Sequence, residues 1–435
     1  MQSPERITAE QSKLLATLQR DSFTYFVHKT NPINGLVLDK SREAWPASIA
    51  AIGLALAAYP IGVERGFMTR ADAGQRTLAT LRFFANAPHG PQSDATGYKG
   101  FYYHFLDMKT GRRAWRSELS SVDTTFLLAG ILATAAYFQS PCAEEDEIRR
   151  LADALFRKAD WQWMQNGAAA VCHGWTPEKG FLPYRWKGYD EALIIYLLGL
   201  GSPTYPLPQA SYRAWSSTYR WKTIYGVEFL YAGPLFIHQL SHLWIDFRGI
   251  RDDFMRQHDL DYFENSRRAT FVQQQYAIRN PCEFEHYNEF CWGITSSDGP
   301  GPGTVVVNGV ERRFYDYIAR GVPFGPDDGT LAPWAAVASL PFAPEIVLPT
   351  IQNYERMQLK KAEQYGYKAT FNPTFPVHPK REYGWVSPYH FGINQGPIVI
   401  MIENYLSEFL WSLMRRCPYL VTGLRRAGFV GGWLE

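Results

Sequence analysis

Residues 116–138 read RSELSSVDTTFLLAGILATAAYF, a polar lead-in that passes into an apolar run broken only by Thr134. The run from Thr125 to Phe138 falls short of the roughly 20 apolar residues of a membrane span, so it reads as a buried helix. Ser120, Ser121 or Asp123 occupies the N-cap region, and acids there also complement the helix dipole. Glu118 and Asp123, with two serine hydroxyls, therefore stand together at one helix mouth. That arrangement serves capping and also suits a grip on sugar hydroxyls. Pro46–Tyr59 is a second run of the same kind, opened by a proline suited to a first helical turn.

Outward from these two runs, helical spacing recurs in pieces of ten to twenty residues. Ile7–Val27 carries Leu14, Leu15, Leu18, Phe23 and Phe26 at a spacing near 3.6. Similar patterns predict helices over Arg70–Phe84, Glu144–Gln165, Glu191–Gly199, Leu235–Phe247 and Arg267–Ile278, then over Leu331–Leu340, Glu345–Lys361 and Gly392–Arg416. One hairpin is legible, Val305–Val307 and Val310–Arg313 about an Asn308–Gly309 turn. No solenoid repeat and no linker composition occurs. The expectation is an all-α chain, an (α/α)6 toroid in which two rings of helices form a single domain over residues 1–435. Its long loops, with a small β-hairpin near the cleft, would line the mouth of the inner ring.

Composition narrows the function. The 44 basic residues against 42 acidic ones leave +2, which excludes the basic stripe of a nucleic-acid binder. No segment is long enough for a membrane span. Residues Met1–Glu10 lack the apolar core of a signal peptide, so the chain reads as cytoplasmic, or periplasmic if a leader was removed. Five cysteines without a C-x-x-C pair give neither a disulfide framework nor a zinc ribbon. The aromatic content is high, at 15 % of residues, and points to sugar or peptide recognition.

Residues 174–191, GWTPEKGFLPYRWKGYDE, interleave Trp175, Tyr184, Trp186 and Tyr189 with Arg185, Asp190 and Glu191. Aromatic faces stack on pyranose rings, and glycosidases set a carboxylic acid beside such platforms to protonate the leaving oxygen. His238 and His242 share a helix face, but Gln239 stands where a zinc protease needs its glutamate. Hydrogen bonding to sugar or to buried carboxylates fits these histidines better than a metal does, and no cofactor is expected. Asp298 and Asp328 lie in Gly/Pro loops, where turn chemistry explains them as well as catalysis does. Trp385, Tyr389, Asn394 and Gln395 precede or open the last long helix.

Several stretches together, including GFYYHFLDM (100–108), GYDEALIIYLLGLGSPTYPLP (188–208), GPLFIHQLSHLWIDFRGIRD (233–252) and INQGPIVIMIENY (393–405), resemble the bacterial glycoamylase-like domain. Within it they are similar to the endo-β-1,2-glucanases of glycoside hydrolase family 144, over residues 14 to the C-terminus. The resemblance implies an (α/α)6 toroid and metal-free action on β-1,2-glucan or its oligosaccharides, although the older name glucoamylase points to α-glucans. It places the general acid on Glu191, with Asp123 and Glu118 as further catalytic carboxylates. Trp175, Trp186, Trp244, Trp292 and Trp385 become sugar platforms, and Arg185, His238, Gln239, His242, Arg267 and Gln395 become hydroxyl ligands. Where many relatives carry an Asp before Gln-Gly-Pro this chain has Asn394, and an amide is no general base. Asp298, Asp328 or Glu264 would then act in its place, or the enzyme would transfer sugar to another sugar.

Overall fold

The computed structural model describes residues 7–359, 365–379 and 381–435. Its helices divide by burial. Ile49–Glu64, Ser121–Tyr137, Leu193–Gly201 and Gly392–Ser407 are buried on nearly every side, as sequences apolar all round must be. Ala9–His28, Arg70–Asn86 and Ala143–Lys158 bury one stripe and expose the other. Ala143–Lys158 also carries Glu144, Glu145 and Asp146 in its first turn and Arg157 and Lys158 in its last, matching the helix dipole at both ends.

The buried helices form the inner ring of an (α/α)6 toroid, completed by Pro333–Ala338 and by two 3-10 turns, Leu235–His238 and Leu240–Leu243. Each inner element is backed by an outer one. Ala9–His28 packs on Gly392–Ser407, Pro418–Arg426 on Leu193–Gly201, Tyr262–Arg279 on the 3-10 turns and Pro344–Arg356 on Pro333–Ala338. One continuous apolar core runs from Leu15 to Leu434. No helix among the described residues is long and apolar enough to cross a membrane.

Two inner helices touch backbone to backbone. A Cβ on Gly53 would lie 2.2 Å from the Phe126 carbonyl oxygen, and one on Gly130 would lie 2.0 Å from that of Gly53. Only glycine admits this approach.

The mouths of the inner elements are stitched to one another by a repeated device. The first amide of an inner element donates to a carbonyl in the loop leading to the next one. Gly392 N donates to Asp39 O at 2.8 Å, Ile49 N to His104 O at 3.2 Å, Ser121 N to His173 O at 3.1 Å and Leu235 N to Ile294 O at 3.2 Å. Strands of two or three residues reinforce the stitch, Ala47–Ser48 pairing with Phe105–Leu106 and Leu119–Ser120 with Gly174–Trp175. An amide left orphaned at a helix N-terminus is thereby satisfied, and the loop is fixed over the ring.

The periodicity holds for most predicted helices, with three differences. Leu235–Phe247 is not an α-helix: Gln239 leaves helical values at φ −121° and ψ −45°. Its side-chain amide donates to Ala335 O and Ser339 Oγ, at 2.6 and 2.8 Å. Gly392–Arg416 divides at Glu408, whose backbone is left-handed with φ 56°, into Gly392–Ser407 and Phe409–Met414. Glu144–Gln165 divides into Ala143–Lys158 and Trp161–Met164, the latter opened by an Asp160 cap. The predicted end of Glu345–Lys361, residues 360–361, lies outside the described residues. The hairpin forms as Gly303–Val307 and Val310–Phe314, with Asn308 and Gly309 at φ 51° and 79°. It rises from the pair Ser296–Ser297 and Ile318–Ala319 at the inner-ring mouth.

Candidate active site

A cavity of about 310 Å³ opens where the mouths of the inner elements converge, lined among others by His104, Glu118, Asp123, Trp186, Glu191 and Asn394. The stitching explains how residues so far apart in sequence meet. His104 lends its carbonyl to the Ile49–Glu64 helix and His173 lends its own to Ser121–Tyr137, so both rings are carried to the rim. Ser120 caps the second of these helices, its Oγ accepting from Asp123 N at 3.2 Å and donating to Asp123 Oδ2 at 2.5 Å. Glu191 sits just before the Leu193–Gly201 helix.

The His104 ring lies between two carboxylates, with Nδ1 3.0 Å from Glu118 Oε1 and Nε2 3.6 Å from Asp123 Oδ2. Burial opposes its charge, but Asp123 and Glu118 outweigh burial and hold its pKa at about 9. Burial likewise works to raise Glu118, and the hydrogen bond from His104 overrides it, so this carboxyl falls below its ordinary value. Glu191 has the opposite environment. Burial first, then the neighbouring charges of Asp190 and Asp123, push it up to about 8. Burial also raises Asp190, against donation from Trp215 Nε1 at 2.9 Å and Ala192 N at 3.0 Å. A proton-bearing carboxyl thus shares one cavity with an imidazolium clamped by two carboxylates.

The ligand atoms of His104, Glu118 and Asp123 lie within 4.8 Å of one another. Yet each carboxylate engages a different ring nitrogen, and the two nitrogens face different ways. As placed, the three groups form an ion-pair cluster.

Of the residues singled out from sequence, the fold brings Glu118, Asp123, Trp186, Glu191 and Asn394 to this cavity. Trp186 stacks on His173 with centroids 3.8 Å apart and donates from Nε1 to Ser121 Oγ at 2.9 Å. Asp298 is nearby in the fold's mouth, held by Thr370 Oγ1 and Ser387 Oγ, each at 2.7 Å. Tyr389 lies 5.0 Å from Lys40 Nζ at ring centre.

The other singled-out residues go elsewhere. Trp244 and Trp292 are fully buried, Trp244 stacked on Phe126, so neither ring offers a face to a ligand. His238 bonds to Ala232 O at 3.2 Å and His242 to Ser266 Oγ at 3.0 Å, and burial lowers both, to about 4 and about 3. Gln239 and Gln395 are core amides, the latter donating to Tyr367 O at 3.1 Å. Arg185 donates to Gln165 O and Ala170 O, both at 2.6 Å, and fastens its own loop. Arg267 binds Phe342 O and Glu345 on the outer ring, and Glu264 pairs there with Arg268 at 3.2 Å. Tyr189 packs among Tyr219, Tyr262 and His238. Trp175 packs against Tyr98 and Trp163, and Trp385 lies in a two-residue strand against Phe371–Asn372. Asp328 is wholly buried in a bidentate pair with Arg320, at 2.8 and 2.9 Å.

Sequence reasoning passed over His104, His173, Tyr317 and Asp39. Their only signal is a titratable or phenolic side chain inside an aromatic loop, as in Phe-Tyr-Tyr-His-Phe. Asp39 accepts from Trp45 Nε1 at 3.0 Å and is raised by burial.

The comparisons with known proteins agree with the fold. The family model Glycoamylase, described as "Putative glucoamylase", matches residues 183–418, more than half of the chain. The chain belongs to the Glycoamylase family. A crystal structure from Bacteroides uniformis bearing the same description is 30 % identical with a TM-score of 0.86, over 99 % of this chain and 100 % of that one. The β-1,2-glucanase of Parabacteroides distasonis is 26 % identical with a TM-score of 0.84, over 97 % of this chain and 60 % of that one. The exo β-1,2-glucooligosaccharide sophorohydrolase (non-reducing end) of the same organism is 29 % identical over 95 % of this chain. The chain spans 57 % of the length of that curated relative.

Proposed function

We propose that this chain is a glycoside hydrolase that cuts β-1,2-glucan internally, releasing short β-1,2-glucooligosaccharides. The observation that carries the reading is Glu191, a carboxyl that keeps its proton at neutral pH in a cavity shared with Asp123 and Glu118. Glycoside hydrolysis needs this division of labour between an acid and a carboxylate. Glu191 protonates the glycosidic oxygen as the C1–O bond breaks. Asp123 and Glu118 stabilise the oxocarbenium-like charge, and His104 holds both carboxylates in place. A water adds to C1 and gives its proton to Asp123. Asn394 lines the same cavity as a hydrogen-bonding amide. Trp186, backed by His173, supplies an apolar wall for a pyranose. The relatives named as β-1,2-glucan-active support the linkage.

The test is a mass spectrum of linear β-1,2-glucan after incubation with the purified protein. A ladder of shortened chains is expected. Disaccharide alone would replace this reading with the exo mode in the name of the Parabacteroides sophorohydrolase. Products longer than the substrate would replace it with sugar transfer, and an unchanged spectrum would overturn it.

A further inference from the structure

Of the 14 tryptophans, Trp115 alone is exposed, at 55 %. Burying such a ring would be worth more than leaving it in water, so a bare indole beside a cleft asks for an occupant. Its backbone is also unusual. Trp115 and Arg116 both have left-handed backbones, at φ 56° and 55°, a conformation that non-glycine residues seldom adopt and that recurs at functional sites.

The ring is not isolated. Trp115 packs edge-on against Trp45, centroids 4.5 Å apart, and against Phe105 at 5.1 Å. Phe105 in turn stacks on His104 at 4.0 Å, with only 12° between the planes. An aromatic surface therefore runs without interruption from open solvent to the imidazole that clamps Glu118 and Asp123. Trp45 is held by cations, with Lys40 Nζ 4.0 Å and the Arg42 guanidinium 4.7 Å from its ring centre. Its Nε1 is committed to Asp39, which fixes the plane of the ring. The surface joins an apolar face to flanking N–H donors, and a sugar chain presents the matching pair, C–H faces and hydroxyls.

We propose that Trp115, supported by Trp45 and Phe105, is an outlying glucose-binding platform that holds β-1,2-glucan units beyond those seated in the cavity. The proposal rests on the β-1,2-glucan reading above. It gives the site a chain-length preference, because only substrates long enough to leave the cavity past His104 reach the indole.

The experiment compares Trp115→Gly with the wild type on two substrates, long linear β-1,2-glucan and the shortest β-1,2-glucooligosaccharide that the wild type cleaves. Glycine accepts the left-handed backbone without cost, so loss of the ring is separated from loss of the fold. KM for the long glucan should rise about tenfold, equivalent to about 1.4 kcal/mol, with kcat unchanged. On the short substrate kcat/KM should stay within about twofold, as uniform binding lost at a remote site leaves the chemistry intact. Trp115→Phe, which keeps an aromatic face, should recover most of the long-chain affinity. Equal losses on both substrates, or no loss on either, would overturn the platform while leaving the hydrolase reading standing. A wild type that neither cleaves nor binds β-1,2-glucan would overturn both.

Discussion

Asp328 and Glu191 are both acids beside helices or turns of the toroid mouth, yet their surroundings are opposite. Asp328 is enclosed with Arg320. The guanidinium meets both its oxygens, and the backbone amides of Tyr315 and Thr330 donate to it at 2.9 and 3.2 Å. Among the described residues no Lys or Arg charge bears on Glu191. The charges that bear on it are the acids Asp190 and Asp123. A buried carboxylate with its counter-ion ties a loop together, whereas one surrounded by acids holds a proton and becomes a donor. The proposed reactivity of Glu191 follows from burial among acids with no Lys or Arg charge bearing on it.

The contrast can be broken most severely at Glu191. Glu191→Gln keeps the shape and removes the transferable proton, so kcat on β-1,2-glucan should fall by about 10²–10⁴-fold, the usual range for general acid catalysis. Thermal unfolding should show the variant folded, and glucan binding should persist. The complementary change is Arg320→Leu, which strands Asp328 without its cation. Stability should drop by about 3–5 kcal/mol in denaturant unfolding, and much of that loss should return in the double variant Arg320→Leu/Asp328→Leu. If Glu191→Gln unfolds and Arg320→Leu does not, the two roles are reversed.

The smaller effect is on pH. Since Glu191 must carry its proton, kcat/KM should decline as pH rises through about 8, roughly tenfold per unit thereafter. The same group affects folding. Its folded pKa lies above the ordinary carboxylate value, so its contribution to stability is full below about pH 4.3 and is lost as pH rises through the folded value. Glu191→Gln should flatten both profiles, and a wild-type profile unchanged to pH 10 would remove the acid assignment.

Much of the toroid was legible because its inner helices are apolar on every side, as at Ser121–Tyr137, and its outer ones are striped. The 3-10 turns were not legible, because Leu235–Phe247 keeps a helical spacing of buried groups while Gln239 answers to acceptors on another helix. At the site, Glu118, Asp123 and Glu191 stood out as carboxylates at helix starts. His104 did not, since its role depends on a pairing with residues 14 and 19 positions away, made only when the loop is stitched to Ile49. The conspicuous pair His238 and His242 misled for the converse reason. Regular spacing suggests one helix face, whereas the segment is two 3-10 turns and both histidines are buried, bonded to Ala232 O and Ser266 Oγ.

The contact of Gly53 with Gly130 lies about one and a half turns below Ser48 and about three turns below Ser120, the caps of the two helices. Two main chains in direct contact act as a mechanical stop. The spacing of these two helices at that point is set by backbone radii, which no side-chain exchange at the rim can alter. A methyl group at either glycine would meet the facing backbone and push the two helices apart at once.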